Sequence, residues 1–299
     1  MKILLLGKNG QVGWELQRSL APLGELIALS SASTDYCGDL TNLEGLVQTV
    51  LDIAPDVIVN AAAYTAVDKA QTETDAARTV NALAPAVLAR QAQRCGAWLV
   101  HYSTDYVFDG SGSAPWTETD QTNPLSVYGT TKLAGEAAVR EAGCRHLIFR
   151  TSWVYSARGG NFAKTMLRLA QERDQLNVID DQFGAPTGAE LLADVTAHCI
   201  LHGQRHPEVS GLYHLVAAGV TSWFDYACFV VESARSAGQE IRTAPDAIKP
   251  IPASAYPLPA ARPHNSRLAT GKLQNVFKLT LPDWRIGVQR MLTEISEKK

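Results

Sequence analysis

Short apolar runs alternate with longer amphipathic segments along the first half of the chain. The runs lack polar alternation, which is typical of strands buried on both faces, and they lie at residues 3–6, 26–29, 57–59, 98–102 and 146–149. Helical periodicity separates them at residues 12–20, 43–51, 75–94 and 128–142. Strands that alternate with helices predict a parallel sheet with right-handed crossovers, which is a doubly wound α/β fold.

The second half of the chain is less regular. Residues 162–172, 189–201 and 223–234 have helical patterns, and residues 212–216 have a strand pattern. We expect the second of these helices to end at Gly203, before His206. Residues 245–263 hold six of the 14 prolines, which predicts a stiff loop that covers another part of the molecule.

Length and composition limit the class of protein. At roughly 150 residues per domain, 299 residues suggest two domains or one large one. We place two domains at 1–150 and 151–299, with some later segments returning to the first domain. The apolar share of 46% and charged share of 19% are ordinary for a soluble protein. The net charge of -3 creates no strong field, so we expect no nucleic-acid or membrane partner.

Cysteine use and hydropathy predict a cytoplasmic protein. The five cysteines are odd in number and have no C-x-x-C spacing, which argues against a disulfide framework or a zinc cluster. No stretch approaches the ~20 apolar residues of a membrane helix. The apolar run at residues 3–6 is also too short for the core of a signal peptide.

A glycine loop follows the first predicted strand. Gly7, Gly10 and Gly13 have G-x-x-G-x-x-G spacing between that strand and the first helix. Glycine allows a tight turn and a close approach to a pyrophosphate, which then rests on the helix N-terminus. An ordinary strand–helix turn is the alternative, but the position on the first strand of an alternating β–α pattern favours a Rossmann-like dinucleotide site.

The sequence does not select one dinucleotide. An NAD site usually has an acidic residue about 20 residues further on, whereas Ser30 and Ser31 stand there in this chain. Lys8 could neutralise a 2′-phosphate, or it could be a solvated loop cation. We therefore predict that both NADH and NADPH are used.

A tyrosine and a lysine form the candidate catalytic pair. Tyr128 and Lys132 are four residues apart on one predicted helix face. A free tyrosine has a pKa of ~10, which a nearby ammonium lowers. An exposed tyrosine beside a solvating lysine is the alternative. However, Thr104 and Asp105 follow a predicted strand end, the edge of such a sheet where ligands bind.

The chain resembles the extended short-chain dehydrogenase/reductase superfamily. The resemblance rests on three features in this order along the chain: the glycine loop, the hydroxyl at a strand end and the Y-x-x-x-K motif. Within this superfamily, the sequence resembles the dTDP-4-dehydrorhamnose reductase family, in the blocks at residues 60–70, 103–110, 150–155, 180–187 and 262–268. The resemblance implies reduction of the 4-keto group of dTDP-4-dehydro-β-L-rhamnose, the last step of dTDP-L-rhamnose synthesis for cell-surface polysaccharide. It also implies a dinucleotide-binding domain at 1–150 and a smaller, mixed substrate-binding domain mainly at 151–299.

The resemblance assigns cofactor contacts to residues that follow the predicted strands and to the catalytic helix. They are Gly7, Gly10, Gln11, Val12, Gly13, Asp39, Leu40, Ala63, Tyr64, Thr65, Tyr102, Tyr128 and Lys132. Tyr102 is expected near the nicotinamide. Asp39 could instead help to cap a helix.

Catalytic and substrate roles are implied in the same way. Tyr128 would donate the proton, Lys132 would bind the nicotinamide ribose and lower the pKa of Tyr128, and Thr104 would hydrogen-bond the ketone. Asp105 and Trp153 would position the sugar, although Trp153 could simply pack in the core. Tyr106 would tune the pKa of Tyr128, or it could simply pack there.

Two arginines, Arg262 and Arg267, flank the end of the proline-rich stretch. Their guanidinium groups could clamp the diphosphate of the substrate bidentately, or they could form surface ion pairs.

Other activities are considered against the same residues. Nucleotide-sugar dehydratases have an Asp-Glu pair after the threonine, and Tyr106 replaces the second acid here. The regulatory β subunit of methionine adenosyltransferase has similar segments and binds NADP without catalysis. A reductase or epimerase of another nucleotide sugar is a further alternative. Trp153 and the block at 262–268 favour the reductase.

The last two expectations concern a possible metal site and the oligomeric state. Asp194, His198, His202 and His206 recur every four residues, but histidines near a helix C-terminus are also favoured by its dipole. Mg²⁺ is associated with the family, and the spacing identifies no ligands. We expect a homodimer.

Overall fold

The structure is a computed structural model that describes residues 1–297, and a parallel sheet forms its centre. Numbered along the chain, the strands are β1 (Lys2–Leu6), β2 (Glu25–Leu29), β3 (Val57–Asn60), β4 (Trp98–Thr104), β5 (Arg145–Thr151), β6 (Val154–Tyr155), β7 (Leu176–Ile179), β8 (Phe183–Gly184), β9 (Thr187–Gly188), β10 (Gly211–His214), β11 (Thr221–Ser222) and β12 (Ile248–Ile251). The helices are α1 (Gln11–Leu20), α2 (Leu43–Ile53), α3 (Val67–Ala70), α4 (Thr74–Arg78), α5 (Ala84–Cys95), α6 (Val127–Glu141), α7 (Phe162–Glu172), α8 (Ala189–Arg205), α9 (Trp223–Ser236), α10 (Gly271–Phe277) and α11 (Trp284–Glu297).

The main sheet has the order β10-β5-β4-β3-β1-β2, with every neighbouring pair parallel. Leu4 of β1, for example, lies between Ile27 of β2 and Ile58 of β3. Helices cover both faces, which explains why the inner strands read as uninterrupted apolar runs. The predicted doubly wound α/β fold is confirmed.

The two faces of the sheet have separate cores. On one face, α2 and α5 bury Leu46 and Leu88 against Leu4 and its neighbours. On the other face, α1 buries Leu16 and Leu20 together with Leu192 of α8. The strand order reverses at β1, because β2 pairs on one side of it and β3 on the other. Such a reversal opens a crevice at the carboxyl ends of the strands, where ligands bind in folds of this kind.

Parts of the second half return to this sheet. β10 extends the sheet beside β5, and α8 packs on α1. The rest forms its own layer, in which α7, α9 and α11 surround a small core that includes Tyr226, Val230 and Trp284. We propose a cofactor domain made from residues 1–150 together with α8 and β10, and a substrate domain made from the remainder.

Two segments differ from the sequence prediction. The helix expected at 75–94 is interrupted by a π-helical turn, Thr79–Leu83, between α4 and α5. The turn directs Asn81 toward α6: its Oδ1 accepts from Tyr64 N at 2.9 Å, and its Nδ2 donates to Thr131 Oγ1 at 3.2 Å. The loop expected at 245–263 contains β12, which pairs with β7. Pro250 is tolerated there because this short strand lies at an edge.

The end of α8 also differs from the prediction. The helix continues through Gly203 to Arg205. A Cβ on Gly203 would lie 3.1 Å from the ring of Trp98, so the glycine serves close packing rather than helix termination. Among residues 1–297, no helix combines the length and the apolar composition that a membrane crossing requires.

Candidate active site

An open cleft of about 1070 Å³ lies at the carboxyl ends of β1, β3, β4 and β5. Its walls come from the residues that directly follow these strands and from the first turns of α1 and α6. The volume and the position at the reversal of strand order suit a ligand of dinucleotide size.

The glycine loop forms the floor of one end of the cleft. Gly7 has a φ of +92°, and a Cβ there would lie 2.8 Å from Ala62 N. A Cβ on Gly13 would lie 2.0 Å from Gly7 O, so these two glycines let α1 start very close to β1. Gly10 caps α1 without a side-chain hydrogen bond, and the first turn carries no acidic residue. The amide groups and positive end of α1 are therefore available to an anion.

Gln11 also indicates that a ligand binds at the glycine loop. Its side-chain Oε1 is buried and has no hydrogen-bond partner among the described residues. Buried polar atoms are normally paired, so an orphan beside the loop is expected where a ligand completes the site. The loop therefore fits the pyrophosphate of a dinucleotide.

Most of the expected cofactor residues line this cleft. They are Gly7, Gly10, Gln11, Val12, Asp39, Leu40, Ala63, Thr65, Tyr102, Tyr128 and Lys132. Asp39 does not cap a helix: its Oδ1 accepts from Thr41 N at 2.9 Å, while Asn42 caps α2. The carboxylate orders the turn that forms the far wall of the cleft.

Two of the expected cofactor residues, Gly13 and Tyr64, are placed differently. Gly13 lies beneath the loop, where it packs on Gly7, and it is not among the described residues that line the cleft. Tyr64 is also not among them, because its hydroxyl donates to Glu73 at 2.5 Å on the exposed side. Tyr102 lines the cleft, while its ring packs in the core and its hydroxyl is hydrogen-bonded to Thr196 at 2.6 Å; its place near a nicotinamide stays a prediction.

Tyr128 lies where α6 meets the turn that follows β4. Ser126 caps α6 by accepting from Gly129 N at 3.2 Å. A Cβ on Gly129 would lie 2.2 Å from Tyr106 O, so glycine lets the helix press against the turn. The ring of Tyr106 packs edge-on against Tyr128, with 5.7 Å between centroids.

The surroundings raise the pKa of Tyr128 to about 12, because the phenol is buried and lies near the charge of Asp105. A hydrogen bond with Thr104 acts in the opposite direction. Lys132 is not among the groups that shift this pKa, and the expected lowering by its ammonium stays a prediction. The ammonium of Lys132 instead donates to Tyr102 O at 2.5 Å.

The charge of Lys132 is influenced by a buried network behind it. Burial lowers the pKa of Lys132 to about 8, and the carboxylate of Glu136 opposes this effect. Glu136 is itself held by Arg150, with Nε–Oε1 at 2.9 Å and Nη2–Oε2 at 2.6 Å, and by Ser103 Oγ at 2.5 Å. No local sequence pattern connects this pair, because Glu136 lies on α6 and Arg150 on β5.

Thr104 and Asp105 face Tyr128 from the end of β4. Thr104 Oγ1 donates to Asp105 Oδ1 at 3.0 Å and accepts from Tyr106 N at 3.2 Å. Burial raises the pKa of Asp105 to about 6, although hydrogen bonds with Ser266 and Thr104 oppose the change. Burial and the charge of Asp105 also raise the pKa of Tyr106. At neutral pH the candidate proton donor therefore lies among two protonated phenols, Tyr106 and its own, and the buried carboxylate of Asp105.

An aromatic wall closes the opposite side of the cleft. Trp153 has a φ of +49° and stacks on Trp223 with 3.6 Å between centroids. Both residues line the cleft, so Trp153 is not merely packed in the core. A Cβ on Gly184 would lie 2.9 Å from the Trp153 ring, which shows how closely the backbone supports this wall.

The two candidate diphosphate-binding arginines lie elsewhere. Arg262 forms a bidentate pair with Asp68, at 2.9 Å and 2.7 Å. Arg267 lies 4.4 Å from the centroid of Phe183 and donates to Asn265 Oδ1 at 3.0 Å. Neither is among the described residues that line the cleft, because each has a protein partner that turns it away.

The comparisons with known proteins agree with this site. The family described as the RmlD substrate binding domain matches residues 1–297. The dTDP-4-dehydrorhamnose reductase of Shigella flexneri is 63% identical over 295 residues, which cover 99% of this chain and 98% of that one. The chain belongs to the dTDP-4-dehydrorhamnose reductase family.

Solved structures of the same reductase family have the same fold. That of the Clostridium acetobutylicum reductase matches with a TM-score of 0.88 at 35% identity and covers 99% of this chain and 100% of its own. That of the Bacillus anthracis reductase, a complex with NADP, matches with a TM-score of 0.87 at 34% identity and covers 98% and 100%.

Sequence reasoning missed two parts of this reductase-family cleft. Trp223 and Arg158 both line it. Trp223 lies at the start of a helix 70 residues after Trp153, so no local pattern connects the two. Arg158 closely follows the block at 150–155, and an extension of that block would have drawn attention to it.

The histidine series does not form a metal site in this reductase-family chain. His198 Nε2 is bonded to Phe277 O at 3.0 Å, and Asp194 Oδ1 accepts from Arg18 at 2.8 Å. Within residues 1–297, no three His, Cys, Asp or Glu side chains are grouped so that they could hold a metal ion.

Proposed function

We propose that this chain reduces the 4-keto group of dTDP-4-dehydro-β-L-rhamnose to give dTDP-L-rhamnose, with NADH or NADPH as the reductant. The observation that carries the proposal is the convergence of Tyr128, Lys132 and Thr104 on one cleft with the glycine loop, in a chain 63% identical to such a reductase. The product serves cell-surface polysaccharide.

The residues of the chain divide the chemistry among them. When bound, the nicotinamide supplies the hydride that adds to the sugar C4. Tyr128 donates its proton to the ketone oxygen as negative charge develops there, and the phenolate recovers a proton from water. Thr104 hydrogen-bonds the same oxygen and selects the face presented to the reductant. Lys132 holds the nicotinamide ribose.

Tyr128 acts in this reaction as an acid rather than as a base. A pKa of about 12 keeps the Tyr128 phenol fully protonated at neutral pH. Asp105 and Trp153 border the remaining space and position the sugar. Tyr106, which packs on Tyr128, tunes its pKa.

The use of both dinucleotides is supported by the far end of the cleft. Ser30 and Ser31 line it where an NAD-specific site has a carboxylate. We expect kcat/KM values for NADH and NADPH to lie within a thousand-fold of each other. A larger preference for either would contradict this part of the proposal.

The activity is tested by following NAD(P)H absorbance after addition of dTDP-4-keto-6-deoxy-L-lyxo-hexose. Oxidation of the cofactor in equal molar amount to the sugar is the expected result. Cofactor binding without oxidation at micromolar enzyme would favour the regulatory alternative. Faster oxidation with another nucleotide-linked ketosugar would favour the alternative of a different nucleotide-sugar reductase.

The assembly, location and metal requirement are also proposed from the family resemblance. We propose a cytoplasmic homodimer, and light scattering coupled to gel filtration tests the dimer. Mg²⁺ is proposed as an accessory ion without assigned ligands, and activity with and without a chelator tests it.

A further inference from the structure

Arg158 reaches the glycine loop from the other half of the chain. It lies on the loop after β6, yet its Nε donates to Asn9 O at 3.4 Å. Its guanidinium lies 4.0 Å from the ring centroid of Trp14, the fourth residue of α1. The side chain is exposed and lines the same cleft as Gly10 and Gln11.

The backbone around Arg158 is held firmly. Ser156 Oγ accepts from Arg158 N at 3.1 Å and donates to Arg158 O at 2.7 Å. Lys164 Nζ donates to Ala157 O at 2.9 Å and to Gly159 O at 2.6 Å. These bonds pin the loop to α7, so the guanidinium is presented over the glycine loop at little further cost in conformational entropy.

No described residue neutralises the charge of Arg158. Among the described residues, no carboxylate lies within ion-pair distance of it, whereas Arg262 and Arg242 each have a bidentate acidic partner. Stacking on Trp14 orients a planar guanidinium without using its donors. A flat, oriented and unpaired guanidinium beside an anion-binding loop is suited to phosphate oxygens.

We propose that Arg158 is a cofactor-binding residue whose guanidinium donates to the pyrophosphate of the dinucleotide and closes the glycine loop from the second half of the chain. The inference rests on the proposed function, in that the ligand is a nicotinamide dinucleotide. Contact with Asn9 places the guanidinium at the pyrophosphate, which NADH and NADPH share, rather than at the 2′-phosphate, which only NADPH carries.

The test is binding of NADH and of NADPH, each without sugar, measured by titration calorimetry. Arg158→Met should raise the Kd of both cofactors by the same factor, about 10-fold or more, since one charge-assisted hydrogen bond is lost. Arg158→Lys should recover part of the affinity, because it keeps the charge without the planar fork. The affinity of the wild type should also fall more steeply with salt than that of Arg158→Met.

Arg168→Met is the matched control, because Arg168 is an exposed arginine on α7 that pairs only with Glu172 among the described residues. It should leave both Kd values unchanged. Unchanged Kd values in Arg158→Met would overturn the proposal, and a loss confined to NADPH would move the contact to the 2′-phosphate and overturn the pyrophosphate assignment. Failure of the wild type to bind either cofactor would instead contradict the proposed function.

Discussion

At Tyr128, burial and the nearby charge of Asp105 both favour the neutral phenol. Lys132 does not counter them, because its ammonium is bonded to the carbonyl of Tyr102. A reductase needs a proton donor at this position, and a phenol with a pKa of about 12 is available as one throughout the neutral range. The spacing of the two residues was visible in the sequence, whereas the direction in which Lys132 points depends on β4.

Replacement of the phenol tests this role. Tyr128→Phe should lower kcat by about 100- to 10,000-fold, because general acid catalysis contributes on that scale. The Kd for NADPH should change little, since the ring is retained. Steady-state kinetics and calorimetry measure the two quantities. Tyr256→Phe, at an exposed tyrosine, is the control and should behave as wild type. Retention of more than a few per cent of the turnover in Tyr128→Phe would show that another group gives the proton.

Asp105 provides a prediction about stability and pH. Its pKa is raised from 3.8 to about 6 by burial, so the ionised carboxylate destabilises the folded state above that pH. The effect is complete above about pH 6 and disappears as the pH falls toward 3.8, where the unfolded chain is also protonated. Asp105→Asn removes a cost of about 3 kcal/mol but loses about 1 kcal/mol of hydrogen bonding.

We therefore expect Asp105→Asn to raise the free energy of unfolding by about 1–2 kcal/mol at about pH 7.5, with the gain vanishing near about pH 4. Urea unfolding at both pH values measures it. Asp109→Asn is the control with the opposite sign, because hydrogen bonds from Ser111 and Asn123 lower the pKa of Asp109 near the surface. A gain in Asp105→Asn that does not depend on pH would exclude ionisation as its cause.

At the scale of elements, helix α6 carries both members of the candidate catalytic pair, Tyr128 and Lys132. Its first turn holds Tyr128 against the turn after β4, and its next turns carry Lys132 and Glu136. Glu136 fastens the helix to β5 through Arg150, with both side chains at most 3% exposed. The ion pair therefore fixes the position of α6 relative to the sheet.

Removal of one charge from the buried Glu136–Arg150 pair should destabilise the folded state. Glu136→Gln leaves the Arg150 guanidinium buried without a counter-charge, and we expect the free energy of unfolding to fall by about 3–5 kcal/mol. Glu232→Gln, at an exposed glutamate that pairs with the half-buried Arg235, should change it by less than about 1 kcal/mol. Urea unfolding of both variants at neutral pH provides the measurement. Equal, small losses would mean that water reaches the Arg150 site.

At the scale of the whole molecule, residues 1–150 do not complete the cofactor domain that we propose. β10 covers the edge of β5, and α8 covers the apolar side of α1 that includes Leu16 and Leu20. Without these elements, one face of the sheet would lie open to water. The second half is thus required for the fold as well as for the cleft.

A fragment of residues 1–150 should consequently behave as a partly folded state. We expect it to bind an anilinonaphthalene dye, to keep a far-UV circular dichroism signal and to lack a near-UV signal. The full chain, measured in parallel, should bind little dye. A cooperative thermal transition in the fragment would contradict the role assigned to α8 and β10.

The parts of this protein that depend on local order could be predicted from its amino-acid sequence. Uninterrupted apolar runs require strands buried on both faces, so the parallel sheet and its crossovers were predictable. The glycine loop, Thr104 and the Tyr128–Lys132 pair were predictable because each lies at the end of a strand or within one helix. The blocks of family resemblance named the same positions.

The tertiary structure alone decided what depends on residues far apart in the chain. Trp223 stacks on Trp153. Arg158 donates a hydrogen bond to Asn9 O, and Arg262 pairs with Asp68 outside the cleft. Gly203 stays within a helix because the ring of Trp98 lies against it. A side chain takes its partner from whatever the fold brings near, and spacing along the chain carries no information about contacts made across the sheet.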